Sequence, residues 1–284
     1  MNNFRKNKLI DHGFKIMGML FTFLGILILI ILIYNIVRVG YTRINWTFLT
    51  SLPSRKPESA GIYTAIIGTL DLMLLTVLFA IPVGVGAGIY LEEYAKKSRL
   101  SSLLEINISN LAGVPSIIYG LLGLGIFVRF FNFGGSILSG SLTLSLLILP
   151  IIIVATREAI KAVPHSLKEA SFALGASKWQ TIKDVVLPSS FGGILTGIIL
   201  SLSRAIGETA PLIVVGAMAY VPFVPQSIFD TFSVLPMQIF NWTTRPQQGF
   251  AIAASGAIIV LLLITFIMNG IAVYFRNRWQ KKLQ

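Results

Sequence analysis

Two opposite charges, Arg204 and Glu208, interrupt an otherwise apolar stretch in the segment Ser203-Arg204-Ala205-Ile206-Gly207-Glu208-Thr209-Ala210-Pro211. A spacing of four residues places them on one helical face, one turn apart. A charge at the bilayer centre costs about 2.5–3.5 kcal/mol on insertion scales, so such side chains face a cavity or a partner. A guanidinium presents a planar fork of donors suited to an oxyanion. The pair reads either as the lining of a polar solute's path or as a mutually satisfied ion pair. Gly193, Gly197, Ser201, Arg204 and Glu208 form a small-and-polar stripe, with Leu195, Ile199, Leu202, Ile206 and Ile213 opposite. Asp71, on a face with Thr64 and Gly68, is the other intramembrane acid. It reads as a partner for Arg204, a further part of the path, or a packing residue near the interface.

The elements that must hold these charges are membrane spans. Of 284 residues, 55% are hydrophobic and only 12% charged, about half the charge of a soluble domain. Six apolar stretches are long enough to cross ~30 Å of hydrocarbon: residues 16–37, 62–90, 106–131, 137–154, 188–215 and 250–275. The first exceeds a signal-peptide h-region and lacks a small-x-small cleavage site, so it reads as an uncleaved anchor. The net charge of +12 does not point to nucleic acid, because of where the cations lie. With the N-terminus inside, sixteen Lys and Arg fall in cytoplasmic segments and six outside. That is a positive-inside bias with both termini cytoplasmic. There is no cysteine, and His12 and His165 bracket no metal-ligand spacing; no metal or cofactor is expected. Nor is there a G-x-x-x-x-G-K-[ST] phosphate loop, so any ATP that drives this chain is hydrolysed by another subunit.

Residues 1–60 read as a cytoplasmic tail, an anchor helix and a polar external loop rich in Pro and Ser. Residues 61–284 read as a five-span core, with a cytoplasmic loop at about 157–187 and a short cytoplasmic C-terminal tail. Gly84 with Gly88, and Gly193 with Gly197, have the spacing that lets helices approach closely in lipid. The Pro- and aromatic-rich stretch 221–249 reads as an external cap. Glu92 and Glu93, beside Lys96, Lys97 and Arg99, read as a solvated helix end.

The cytoplasmic loop carries more pattern than a connector requires. Ser166 as N-cap with Glu169 three residues on makes a capping box. Leu167, Ala170, Ser171 and Leu174 share a face, and Gly175 is a left-handed stop. Ser177 and Gln180 repeat the box, Trp179, Ile182 and Val186 share a face, and Pro188 opens the next span. The result is two short capped helices about a fixed corner. Glu169-Ala170-Ser171, three residues, Gly175, nine residues, Val185, one residue and Leu187-Pro188 resemble the "EAA loop" of ABC-importer permeases. That resemblance implies docking of Glu169, Ala170, Ser171, Gly175, Leu187 and Pro188 on an ATPase subunit.

Arg204-Ala205-Ile206-Gly207-Glu208-Thr209-Ala210-Pro211, together with Val114-Pro115-Ser116-Ile117-Ile118-Tyr119-Gly120, resembles the phosphate-importer permeases. The Thr209-Ala210-Pro211 ending is similar to their PstA branch; the sister PstC branch usually has Met after Glu-Thr. The resemblance runs from about Gly61 to the C-terminus. It implies an all-helical, six-span type I importer fold and phosphate passage associated with Arg204 and Glu208. It also implies a homologous second permease, cytoplasmic ATPases and an extracytoplasmic phosphate-binding protein. Phosphate carries an O–H donor that sulfate lacks, so Glu208 would favour it as an acceptor; equally, Glu208 would serve only to balance Arg204. Another oxyanion (sulfate or molybdate), a secondary anion transporter or channel, and a structural scaffold remain alternatives.

Overall fold

The structure, a computed structural model, describes residues 2–96 and 98–283; among these the chain is helical throughout, with no strand. Lys97, one of the cations read as cytoplasmic, lies outside the described residues. In chain order the helices are α1 (Asn2–Gly40), α2 (Trp46–Thr50), α3 (Tyr63–Ile89), α4 (Arg99–Leu111), α5 (Ser116–Gly123) and α6 (Ile137–Lys161). There follow α7 (His165–Ala173), α8 (Lys178–Thr181), α9 (Leu187–Ala205), α10 (Ala210–Val215), α11 (Leu235–Thr243) and α12 (Gln248–Leu283).

The post of the bundle is α6, which buries 67% of its most apolar window, against 0% for α1. Both glycine pairs pack on it. A Cβ at Gly84 would lie 2.7 Å from Ile152 and one at Gly88 2.7 Å from Thr156, so α3 lies flush along α6. On the other flank, Cβ atoms at Gly193 and Gly197 would meet those of Ala159 and Ala155 at 2.7 and 2.2 Å. These contacts leave no room for a methyl group, as expected where van der Waals packing rather than a hydrophobic effect joins helices in lipid. Thr76, Ser141 and Ser145 are buried in the same seam, where their hydroxyls bond backbone carbonyls.

Two of the six expected spans are broken. The stretch 106–131 bends by 105° between α4 and α5. Pro115 holds its backbone extended before Ser116, and Tyr119 Oη donates to the Leu111 carbonyl at 2.8 Å, pinning the bend. The stretch 188–215 ends its helix at Ala205 and turns through Ile206–Thr209 before α10 begins. Averaged hydropathy hides both breaks, because each turn is only about four residues long within a mostly apolar stretch.

The segments 41–62 and 221–249 are folded rather than loose. Arg43 Nη2 donates to the carbonyls of Pro57 and Glu58, both at 2.7 Å. Phe48, Ala60 and Ile62 pack with Trp242 and Phe250. The 221–249 stretch seats Phe232 and Val234 in the core and caps the N-terminal ends of α3 and α6. Thr69 Oγ1 accepts from the Leu235 amide at 2.9 Å, and the Ile228 carbonyl accepts from the Leu138 amide at 2.9 Å.

Candidate functional site

The corner between α6 and α9 begins with a correction. Helix α7 starts at His165, with Pro164 at the cap and no side-chain capping bond. Ser166 therefore lies inside the first turn and cannot cap, and the Ser166–Glu169 box does not form. Proline needs no amide there, so the helix starts two residues earlier than the Ser-x-x-Glu pattern indicates. The corner itself is as expected: Gly175 has φ +84°, a left-handed backbone cheapest for glycine. Ser177 then accepts from the Gln180 amide at 3.3 Å while Gln180 Oε1 accepts from the Ser177 amide at 2.8 Å. Ser171 turns inward and its hydroxyl lies 2.9 Å from that of Thr181, locking α7 to α8. Glu169 and Ala170 face out. The outer surface is apolar, with Leu167 44%, Phe172 49%, Leu174 89% and Trp179 58% exposed. Ile182 and Val186 turn away from Trp179 and are buried; the expected shared face is split between the core and the exterior.

Pro188 does not open a separate span. α8 runs through a π-helical turn, Ile182–Val186, straight into α9, so Lys178–Ala205 is one helix of 28 residues. Proline at 188 removes the amide that would have bonded the Asp184 carbonyl. The wide turn ahead of it, in which the Leu187 amide donates to the Ile182 carbonyl five residues back, absorbs the defect. Leu187 and Pro188 are half-buried within this continuous helix. At ~1.5 Å per residue it is ~42 Å long, and Arg204 stands in its last turn.

Arg204 Nε donates to Glu208 Oε1 at 3.3 Å, and the two side chains are 42% and 17% exposed. Glu208 sits not on the helix, as the spacing of four suggests, but on the turn after it. Among the described residues no other protein group accepts from this guanidinium. Its charge suits the carbonyl end of α9. Its depth follows from the packing register. Gly193 opposite Ala159 and Gly197 opposite Ala155 put Arg204 level with about Ile148, near the middle of α6.

The turn is braced by the second signature segment. A Cβ at Gly120 would lie 2.8 Å from Pro211 Cα and 3.0 Å from Val214, so the start of α10 lies directly on α5. Neither segment by itself shows this contact. Ser201 is fully buried, its hydroxyl donating to the Gly197 carbonyl at 2.8 Å, on the face that packs toward α6. Asp71 lies elsewhere. Leu72 touches the position of Gly140, so Asp71 is level with about Ser139, some nine residues or ~14 Å from the level of Arg204. It forms no ion pair among the described residues and lines a cavity of about 320 Å³ with Ile137, Pro225, Gln226 and Ser227. The reading in which it pairs with Arg204 does not describe this structure.

Glu92 and Glu93 are also not where the sequence suggests. They stand on a π-helical turn, Tyr90–Tyr94, that ends α3, and both are engaged across helices. Glu92 meets Arg157 at 3.4 Å and Glu93 meets Lys168 at 2.5 Å. Arg157 also holds Glu105 of α4 at 2.8 Å. These partners are 52 to 75 residues apart in sequence and carry no short-range signature. Asn269 is a further residue missed; its Oδ1 accepts from Ser203 at 2.8 Å, tying α9 to α12 beside Arg204.

Residues 80–281 match the model of the "Binding-protein-dependent transport system inner membrane component" family, covering the core from α3 to α12. The chain belongs to that family. Among this permease's relatives is the "Probable ABC transporter permease protein YqgI" of Bacillus subtilis, 33% identical over 86% of this chain and 87% of the relative. The "Phosphate transport system permease protein PstA 1" of Mycobacterium tuberculosis is 34% identical, over 83% and 76%. The PstA protein of Yersinia pestis is 33% identical, over 87% and 83%. In fold, the permease is similar to a chain of a bacterial alginate ABC transporter complexed with a pentasaccharide-bound periplasmic protein. That match has a TM-score of 0.70 and 16% identity, over 95% of this chain and 96% of the other. A chain of the inward-facing MetNI methionine transporter gives 0.62 over 77% and 97%. The all-helical importer-permease fold follows from both.

Proposed function

We propose that this permease is the PstA-type subunit of a phosphate importer, moving inorganic phosphate across the cytoplasmic membrane by alternating access. The observation that carries this reading is the state of Arg204. It is a mid-depth guanidinium with one long hydrogen bond and nearly half its side chain exposed. A cation kept at that depth without full pairing is retained for a passing anion, and the relatives named for phosphate transport supply the anion's identity. Glu208 accepts the O–H of hydrogen phosphate while holding Arg204 in place, and it repels an anion that has no donor to offer.

The exposed Leu167, Phe172, Leu174 and Trp179 form the surface that enters a cleft of a PstB-like ATPase, as an amphipathic helix enters an apolar groove. A PstC-like second permease completes the path, and a PstS-like binding protein delivers phosphate from outside. Both termini are cytoplasmic. Closure of the ATPases displaces the corner at Gly175. The helix Lys178–Ala205 carries that displacement to the turn holding Arg204 and Glu208, changing the side from which they are reached. No bond is made or broken by this chain.

The test is uptake of labelled phosphate into proteoliposomes holding the whole importer, with sulfate and molybdate as competitors. Loss of phosphate uptake in Arg204→Ala with ATPase subunits still bound supports the reading. Unchanged uptake in that variant, or wild-type uptake that prefers sulfate or molybdate, overturns it. Uptake that persists without ATPase subunits would move the chain to the secondary carriers.

A further inference from the structure

The cytoplasmic end of α3 is built as a joint. Its last turn widens into the π-helical segment Tyr90–Tyr94, which points two successive carboxylates at two different helices. Glu92 faces Arg157 on α6, and Glu93 faces Lys168 on α7. The Glu93 and Lys168 side chains are only 12% and 15% exposed, so this is not one of the solvated surface pairs that contribute little. Removing either partner leaves a largely desolvated charge alone. The same turn receives Lys178 of α8 over the Tyr94 ring at 4.9 Å. The corner is thus tied to α3 from both of its helices. Arg157, 8% exposed, passes the tie onward to Glu105 of α4 at 2.8 Å. From there α4 leads across the Tyr119–Leu111 clamp to α5, whose Gly120 lies on Pro211 beside the Arg204–Glu208 turn.

We propose that the Glu93–Lys168 pair is a second transmission arm, which makes the corner pull on α3 and, through Arg157, on the α4–α5 brace of the turn. Glu93, Lys168 and Arg157 are positioning residues: none touches the anion path, and each acts through the helix it holds. This inference rests on the docking role proposed above for the corner. In the two-arm arrangement α9 moves Arg204 while α5 moves what Gly120 supports. Loss of one arm lets the motor turn over without carrying the path with it. A contiguous network of this kind becomes a mechanism only when coupling is measured across it.

The experiment uses the complete importer in proteoliposomes, with ATP turnover and phosphate uptake measured on the same preparation. The variants are Glu93→Gln, Lys168→Gln and the exchanged pair Glu93→Lys with Lys168→Glu. Each single neutralisation is expected to lower phosphate moved per ATP hydrolysed by roughly two- to thirtyfold, the range seen for coupling residues, with ATPase subunits still copurifying. The exchanged pair is expected to recover most of that ratio. An unchanged ratio in both single variants overturns the proposal. So does a parallel fall of turnover and uptake, which would make the pair merely a brace for the docking surface, or an exchanged pair no better than the singles. If ATPase subunits fail to copurify even with the unaltered chain, the docking reading itself fails. Copurification with an unchanged ratio rejects this inference alone.

Discussion

The end of the bundle where α3 and α6 finish and the middle of the bundle use charge in opposite ways. At that end, Glu92, Glu93, Glu105, Arg157, Lys161 and Lys168 interlock across α3, α4, α6 and α7. There charge joins helices that apolar contact alone leaves free to slide. In the middle, Arg204 and Glu208 share one long contact, and the expected third partner, Asp71, lies about nine residues away along the bundle. A cross-linked cluster holds shape; an under-partnered cation at depth holds a place for a ligand. The difference separates mechanical residues from path residues in a chain where hydropathy makes them look alike.

Arg204→Ala breaks the comparison most severely. Charge-assisted hydrogen bonds contribute about 1.5–3 kcal/mol each, so phosphate uptake should fall at least ~30-fold, measured as initial rate, while melting in detergent changes little. Gly175→Val comes next. A β-branched residue at φ +84° costs roughly 1–2 kcal/mol, enough to loosen the corner and cut ATPase copurification about fivefold or more without altering the spans. Glu208→Gln sharpens the middle region. Its expected effect is on choice rather than rate: the preference for phosphate over sulfate in competition should shrink several-fold, on the scale of ~1 kcal/mol for one hydrogen bond. Unaltered preference would leave Glu208 as a counter-charge only. Pro188→Ala should do least. It restores an amide in a turn that already accommodates its lack, so uptake should stay within about twofold.

Much of this molecule is legible in its sequence, and the failures share a cause. Spans, glycine seams and the Gly175 corner follow from local periodicity or a single backbone demand. What was misread depends on contacts distant in sequence or on backbone breaks within apolar runs. Hydropathy averaged across 106–131 hides the 105° bend, although Glu105, Asn107 and Asn110 already make α4 too polar for a clean span. Ser166 matches a capping pattern, yet Pro164 two residues earlier caps the helix. Pro188 suggests the start of a new helix because proline favours the first turn, and the π-helical turn that tolerates it mid-helix has no sequence signature. Glu92 and Glu93 looked solvated because their partners on α6 and α7 come much later in the chain. The proximity of Gly120 to Pro211 was equally hidden, although both segments carried the family resemblance.

The central claim is that one continuous helix links the ATPase-facing corner to the guanidinium. With no native cysteine, spin labels at Lys178→Cys and Gly207→Cys report its length by electron–electron distance in the assembled importer, nucleotide-free and with ATP trapped. The account predicts a separation of roughly 40 Å in both states, while the distance from Gly207 to the partner permease changes. A shortening of the Lys178–Gly207 distance by about one helical turn, ~5 Å, would show the helix folding at its π-helical turn and would contradict the account.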